Sequence, residues 1–279
     1  MTFHTAADYT PEQTELIRAA TLTAATILGD YMGDLAVVGG LVPSLLIPAT
    51  TLPAGADLHV GTMDLDLGLD LAILDGQKYK GIAQRLLDTG FRPDLNERGN
   101  DIRQRWTHAR NPLAKIEFLI PPVDEEAVPG KLQPLEKGLA AFIISGLEVA
   151  FRDRMRVRIS GTTLFGETAS REIPVCNPGA FIVLKALAFR NRGSFKDAYD
   201  LFYMARNYGN GSEDVAAFLA RLIDTDPGRR AVGILREDFL DERALGPMRV
   251  ALFATGAENA EMQADVVGFV SELLRVLGV

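Results

Sequence analysis

Thr62-Met63-Asp64-Leu65-Asp66-Leu67-Gly68-Leu69-Asp70 decides how the rest of the chain reads. Successive side chains of a β-strand point to opposite faces, so the alternation puts Met63, Leu65, Leu67 and Leu69 on one side and Asp64, Asp66 and Asp70 on the other. The apolar side suits packing. On the polar side Asp64 and Asp66 are neighbours, at the spacing used to hold a divalent metal. Two ionised carboxylates held ~4 Å apart repel by roughly 4 kcal/mol at an effective dielectric near 20, so such a pair needs a reason. An amphipathic strand whose polar face is only wet has the same pattern, and Asp-x-Asp alone does not separate the two readings.

The upstream sequence adds a second signal. Leu35-Ala36-Val37-Val38 reads as a short buried strand, ends in Gly39-Gly40, and is followed by a helix over Leu41 to Ile47 with Pro43 in its first turn. Glycines at a strand-to-helix turn let backbone amides approach a phosphate, with the positive end of the helix dipole behind them. The interval from Gly40 to Asp64 holds that helix and a Pro-containing loop.

Downstream, Lys115 to Ile120 reads as a strand with Ile116, Phe118 and Ile120 on one face and Lys115, Glu117 and Leu119 on the other. Glu117 is then on the polar side of a strand able to lie beside the Asp64 strand. It is a candidate third acid, or a cross-strand partner for Arg103 or Arg105.

Gly39-Gly40, Thr62-x-Asp64-x-Asp66, and Lys185 with Arg190 or Arg192 ahead of Lys196-Asp197 and Asp200 together resemble the AbiEii/AbiGii-type toxin family of the polymerase-β-like nucleotidyltransferase superfamily. The resemblance spans residues 35 to 205. It implies transfer of a nucleoside monophosphate from an NTP substrate to an acceptor hydroxyl, with Mg²⁺ (or Mn²⁺), in toxin–antitoxin and phage-defence settings. Some members of the family modify the acceptor end of tRNA, which implies an RNA acceptor and a cognate antitoxin as partners. Carried onto this sequence, the resemblance gives Asp64, Asp66 and Glu117 as metal ligands and, with Lys185 and Asp200, as catalytic residues. It gives Gly39, Gly40, Thr62, Lys185, Arg192, Lys196 and Asp197 as nucleotide contacts. Gly61 stands where members often carry an arginine, and Gly39-Gly40 replaces the Gly-Ser of many nucleotidyltransferases. A small-molecule nucleotidyltransferase and a nucleotide-binding regulatory protein with a decayed site are the alternative functions.

Composition excludes several classes. With 279 residues, 47% hydrophobic and 24% charged, the chain is expected to be globular rather than disordered. There is no run of about 18 apolar residues, and Met1 to Thr10 lacks the basic and apolar regions of a signal peptide, so the expectation is a cytoplasmic protein without a membrane partner. Cys176 is the only cysteine, and His4, His59 and His108 have no zinc-like spacing, so a hard cation on carboxylates fits better than zinc. A formal net charge of −8 argues against sequence-blind nucleic-acid binding through overall charge, though not against a local basic stripe.

The expected fold is α+β. An N-terminal polymerase-β-like nucleotidyltransferase core with a mixed β-sheet is expected at 1–125, a β-rich extension of it at 126–176, and a mainly helical C-terminal domain at 177–279. Helices are expected over Pro11 to Tyr31 and Gln77 to Thr89, and paired strands over Ile102 to Ala109 and Lys115 to Ile120. Ala141 to Phe151 and Met155 to Ser160 read as strands of a hairpin turning at Arg152-Asp153-Arg154. Asn177-Pro178 caps a helix running to about Arg192, and everything beyond Ser194 reads as helical.

Within that last region Lys185 sits in an apolar run, so its ammonium must snorkel or find an anion: a triphosphate, as the resemblance implies, or a carboxylate such as Asp200. Arg192 falls on nearly the same helix face. Ser194-Phe195-Lys196-Asp197 also matches a capping box, a structural alternative for Asp197, while Asp200 can pair with Lys196 or close the active site. Arg152, Arg154, Arg156 and Arg158 recur at a period of two. On a continuous strand they would line one face about 6.6 Å apart, near the phosphate repeat of an extended nucleic acid, or form a solvated face balanced by Glu148, Glu167 and Glu172.

Overall fold

The computed structural model describes residues 5–53, 56–70, 76–124 and 126–279; His4 lies outside them. In chain order the elements are α1 (Pro11–Leu28), β1 (Leu35–Val38), α2 (Val42–Leu46), β2 (Leu65–Leu69), α3 (Gly76–Asp88), β3 (Phe91–Leu95), β4 (Asp101–His108), β5 (Asn111–Ile120), β6 (Leu132–Glu136), β7 (Leu139–Ile143), β8 (Met155–Thr162) and β9 (Thr168–Val175). The helices α4 (Pro178–Arg192), α5 (Phe195–Asn207), α6 (Ser212–Leu219), α7 (Asp226–Phe239), α8 (Leu245–Thr255) and α9 (Ala260–Leu277) follow. The chain divides into a sheet unit, Pro11–Leu41 with Gly61–Cys176, and a helical unit, Met1–Thr10 with Val42–Val60 and Asn177–Val279. No helix among the described residues is long and apolar enough to cross a membrane.

The sheet unit holds a mixed sheet of order β3-β4-β5-β2-β1-β9-β8, with β7 joined to β5 and β6 to β7. β2 runs antiparallel to β1 and parallel to β5. The Leu65, Leu67 and Leu69 side of β2 is fully buried, while Asp64, Asp66 and Asp70 stay half-exposed. Burying each of those leucines contributes roughly 1.5–3 kcal/mol, and a one-residue slip would bury the carboxylates instead, so the register is strongly specified. α1 packs on β5, β8 and β9 with Ile17, Leu22 and Leu28 buried. Pro93 and Pro134 sit in β3 and β6, which each have one strand neighbour, where a missing N–H costs little.

Two expectations fail here. Ala141 to Phe151 is not one strand: β7 ends at Ile143, Gly146 takes φ +80°, and Leu147–Phe151 forms a 3₁₀ turn. Ser145-Gly146 interrupts the run, and the left-handed conformation open to Gly146 ends the strand and starts the turn. The hairpin across Arg152-Asp153-Arg154 is absent, and β8 pairs with β9.

The helical unit has its core at Phe181, Phe189, Phe239 and Phe253. α4 starts as its sequence dictates: the Asn177 side chain accepts from the Ala180 amide at 2.9 Å, and Pro178 fills the first turn. Gly193, at φ +64°, ends it. The capping box of α5 does not form. Ser194 makes no side-chain cap bond, and the Asp197 carboxylate, which would return to the Ser194 amide, is taken by stronger cationic donors.

Candidate active site

The sheet register assembles a carboxylate cluster. Arg105 on β4 is opposite Glu117 on β5, Glu117 is opposite Asp66 on β2, and Asp66 is opposite Val38, the residue before Gly39. Asp64 lies in a bend one residue ahead of β2 rather than in the strand, yet it converges with the others. One ligand atom from each of Asp64, Asp66 and Glu117 lies within 4.8 Å of the other two. All three residues are half-buried. Three carboxylate oxygens form a hard donor set of the kind that suits Mg²⁺ or Mn²⁺ and disfavours soft metals.

Glu117 lies where both of its sequence readings place it. It belongs to the cluster, and its Oε1 accepts from Arg105 Nε at 2.5 Å. Arg105 Nη1 also lies 3.7 Å from Asp94 on β3. Burial pushes the Glu117 carboxyl above its usual range, and the negative charge of Asp64 adds to this, against the pull of the Arg105 hydrogen bond. A cation among the three acids would relieve that strain, so the residues present fit the metal that the sequence implies.

Gly39 is the tightest point of the cluster. Its φ is +71°, and a Cβ there would come within 1.8 Å of Asp66 Oδ2. Only glycine permits both the turn and the approach of that carboxylate. Gly40 is buried in the same Gly39–Leu41 turn. Thr62 is buried and donates from Oγ1 to Asp64 Oδ1 at 3.1 Å.

In the helical unit a second charged cluster joins α4, α5 and the segment before residue 60. Lys185 Nζ donates to Asp197 Oδ1 at 2.9 Å and lies 2.7 Å from Asp200 Oδ2, an ion contact off hydrogen-bond alignment. Arg192 grips Asp197 with two bonds, Nε to Oδ2 at 2.6 Å and Nη2 to Oδ1 at 2.9 Å. Lys196 donates to Asp200 Oδ1 at 2.6 Å. Both carboxylates are sealed from solvent, whereas the Arg192 side chain is 63% exposed. Burial alone would raise the Asp200 pKa, but Lys185 and Lys196 overcome it and hold Asp200 well below the carboxylate range. The same carboxylates hold the Lys185 ammonium above its usual range despite burial.

His59 completes this cluster, and sequence reasoning missed it. Its Nε2 sits 2.9 Å from Asp200 Oδ1 and its Nδ1 3.2 Å from Ser44 Oγ, with the ring stacked on Tyr199. Burial drives its pKa down to about 4, so the ring is neutral at pH 7. A neutral ring beside a carboxylate donates from Nε2 and accepts the Ser44 hydroxyl at Nδ1. The partners are 141 positions apart, and no local spacing reveals them.

The arginine series is broken. β8 begins at Met155, so only Arg156 and Arg158 stand on it, both exposed, with Arg158 3.2 Å from Glu172. Arg152 lies in the turn ahead of the strand, where Asp153 takes φ +49°. Arg154 Nη1 donates to the carbonyls of Gly33 and Leu35 at 3.0 and 2.7 Å, tying the turn to the start of β1.

The family described as nucleotidyl transferase AbiEii toxin, type IV toxin–antitoxin system, matches residues 56–277. Among solved structures the chain is similar to MenT4, a nucleotidyltransferase toxin from Mycobacterium tuberculosis H37Rv, at 19% identity and a TM-score of 0.40, over 96% of this chain and 88% of that one. No curated protein matches it. The family match runs through Thr62, Asp64, Asp66 and Glu117 and on through α4 and α5 with their Lys185 to Asp200 motif, and the chain belongs to the AbiEii nucleotidyltransferase toxin family.

Proposed function

We propose that this nucleotidyltransferase is metal-dependent and moves a nucleoside monophosphate from an NTP to a hydroxyl of a tRNA-like RNA. The observation that carries the reading is the convergence of Asp64, Asp66 and Glu117 within 4.8 Å, beside a glycine where any side chain would collide with the Asp66 carboxylate. In the reaction the acceptor oxygen bonds to the α-phosphorus, the bond to the bridging oxygen breaks, pyrophosphate leaves and the hydroxyl proton passes to water. Mg²⁺ or Mn²⁺ held by the three carboxylates would supply the charge that acidifies the hydroxyl and neutralises the triphosphate.

The chain's own residues bind and position. Gly39 and Gly40 are proposed to offer backbone amides to phosphate oxygens, and the Thr62 hydroxyl orients Asp64. Arg192 is proposed to take up pyrophosphate charge through its exposed guanidinium, while Asp197, itself held by Lys185, keeps that arginine in place. Exposed Arg156 and Arg158 support the RNA acceptor. The break in the series at Asp153 favours a second reading, a small hydroxylated acceptor. A toxin–antitoxin or phage-defence setting, an antitoxin counterpart and the cytoplasm belong to the same proposal.

Incubation with each labelled NTP, divided between bulk tRNA and small hydroxylated compounds, tests it. Label transfer to tRNA is expected from the wild type, and a loss of about a thousandfold or more from Asp64→Asn. An Asp64→Asn protein of full activity sinks the reading.

A further inference from the structure

The carboxylate cluster has a resident cation of its own, the Arg105 guanidinium. It is held from both sides, by Glu117 at 2.5 Å and by Asp94 at 3.7 Å, and the pairing of three adjacent strands sets its position. Its side chain is 33% exposed, so the guanidinium is a lasting neighbour of the cluster rather than a mobile surface group. The Glu117 side chain is only 12% exposed and faces Asp66 in the register, so it has little room to turn away from Arg105. One Glu117 oxygen is thus committed inside the protein before any ligand arrives.

Divalent cations differ in what this costs them. Ca²⁺ takes six to eight oxygens at flexible angles and gains from carboxylates that offer both oxygens at once. Mg²⁺ and similar small ions need six near-octahedral ligands, keep several waters and use one oxygen per carboxylate. A glutamate with one oxygen engaged still gives the small ion its one coordination bond and deprives Ca²⁺ of a bidentate ligand.

We propose that Arg105 is a positioning residue that sets which divalent cation the cluster accepts: by engaging one oxygen of Glu117 it makes that residue a one-oxygen ligand and so favours Mg²⁺- or Mn²⁺-like ions over Ca²⁺. The inference rests on the metal reading of Asp64, Asp66 and Glu117. It concerns binding and is separable from catalysis.

The test is Mn²⁺ binding followed by electron paramagnetic resonance of the free ion, with Ca²⁺ as competitor and no nucleotide present. Wild type is expected to prefer Mn²⁺. In Arg105→Met the preference should fall by about tenfold, mainly because Ca²⁺ binds more tightly to a Glu117 free to offer both oxygens. Adding Glu117→Gln to that variant, whose amide carbonyl is again a one-oxygen ligand, should restore the preference; a merely structural role for Arg105 would not be rescued this way. If Arg105→Met does not fold, Glu117→Asp in the wild-type background serves instead. Its shorter side chain draws away from the Arg105 bond and should move the preference in the same direction. An unchanged preference in the folded variant overturns the inference and leaves the cluster standing. A wild type that binds neither ion, or an Asp64→Asn protein that binds Mn²⁺ as the wild type does, overturns the cluster and the inference together.

Discussion

The two charged clusters are built on opposite principles. In the sheet unit, three half-buried carboxylates have one guanidinium among them, and the excess is negative. In the helical unit, Lys185, Arg192 and Lys196 meet two sealed carboxylates, the excess is positive, and every acid is engaged by at least two donors or cations. The first cluster sets like charges against one another and is half-open, an arrangement that suits a cationic ligand. The second is almost internally balanced and closed, which is the condition of a framework that presents one arginine outward. Substitutions should therefore have opposite effects on stability in the two places.

The sharpest contrast is between Lys185→Met and Asp64→Asn. Among the described residues, removing Lys185 leaves Asp200 with Lys196 and neutral His59, and leaves Asp197 with Arg192. Breaking a buried pair from one side costs about 3–5 kcal/mol. Asp64→Asn removes repulsion from a cluster of like charges and should be neutral or slightly stabilising, although it abolishes transfer. Urea midpoints of the two variants, measured without metal, check this. Similar losses in both would break the distinction between site and framework.

The pH dependence of stability should come from the framework as well. His59 is neutral in the fold with a pKa near 4, against 6.5 in an unfolded chain. Between those values the unfolded state binds a proton that the folded state does not, so stability falls as pH drops from 6.5 towards 4 and rises in the other direction. The full difference is ~3 kcal/mol. In His59→Gln, unfolding measured at pH 7 and pH 4 should lack this component, with the gap between the two conditions correspondingly smaller than in wild type. An equal gap would mean that burial does not hold His59 neutral in the fold.

What the sequence made legible divides along the same line. The period-two alternation of residues 62 to 70 reports on the chain's own immediate geometry. It sorted Leu65, Leu67 and Leu69 into the core and left Asp64 and Asp66 together on the other face. Asn177-Pro178 was equally local, and the cap formed as read. The framework consists of contacts that no local period encodes. Asp197 matched a capping box three residues from Ser194, but it is bound by Lys185, twelve positions away in another helix. His59 shows no pattern at all, because its role depends on a partner 141 positions along. The arginine series failed for a related reason: spacing cannot register the left-handed turn at Asp153 that keeps Arg152 and Arg154 off the strand.

Gly39→Ala gives the smallest loss of stability among the destabilising variants and the most local probe of the comparison. At φ +71° an alanine costs about 1–2 kcal/mol from its backbone alone. Its methyl would also meet Asp66 Oδ2 at 1.8 Å, and the carboxylate lies at the end of a side chain able to rotate. The strain should therefore be relieved by moving Asp66 away rather than by opening the sheet. Stability should drop by no more than the backbone term, as read by thermal unfolding, while Mn²⁺ affinity falls by about tenfold or more because one of three ligands has left the cluster. A loss of stability without a loss of Mn²⁺ affinity would show that Gly39 serves only the turn. In that case the close approach of its α-carbon to Asp66 would be packing, and the site would be defined by Asp64 and Glu117 alone.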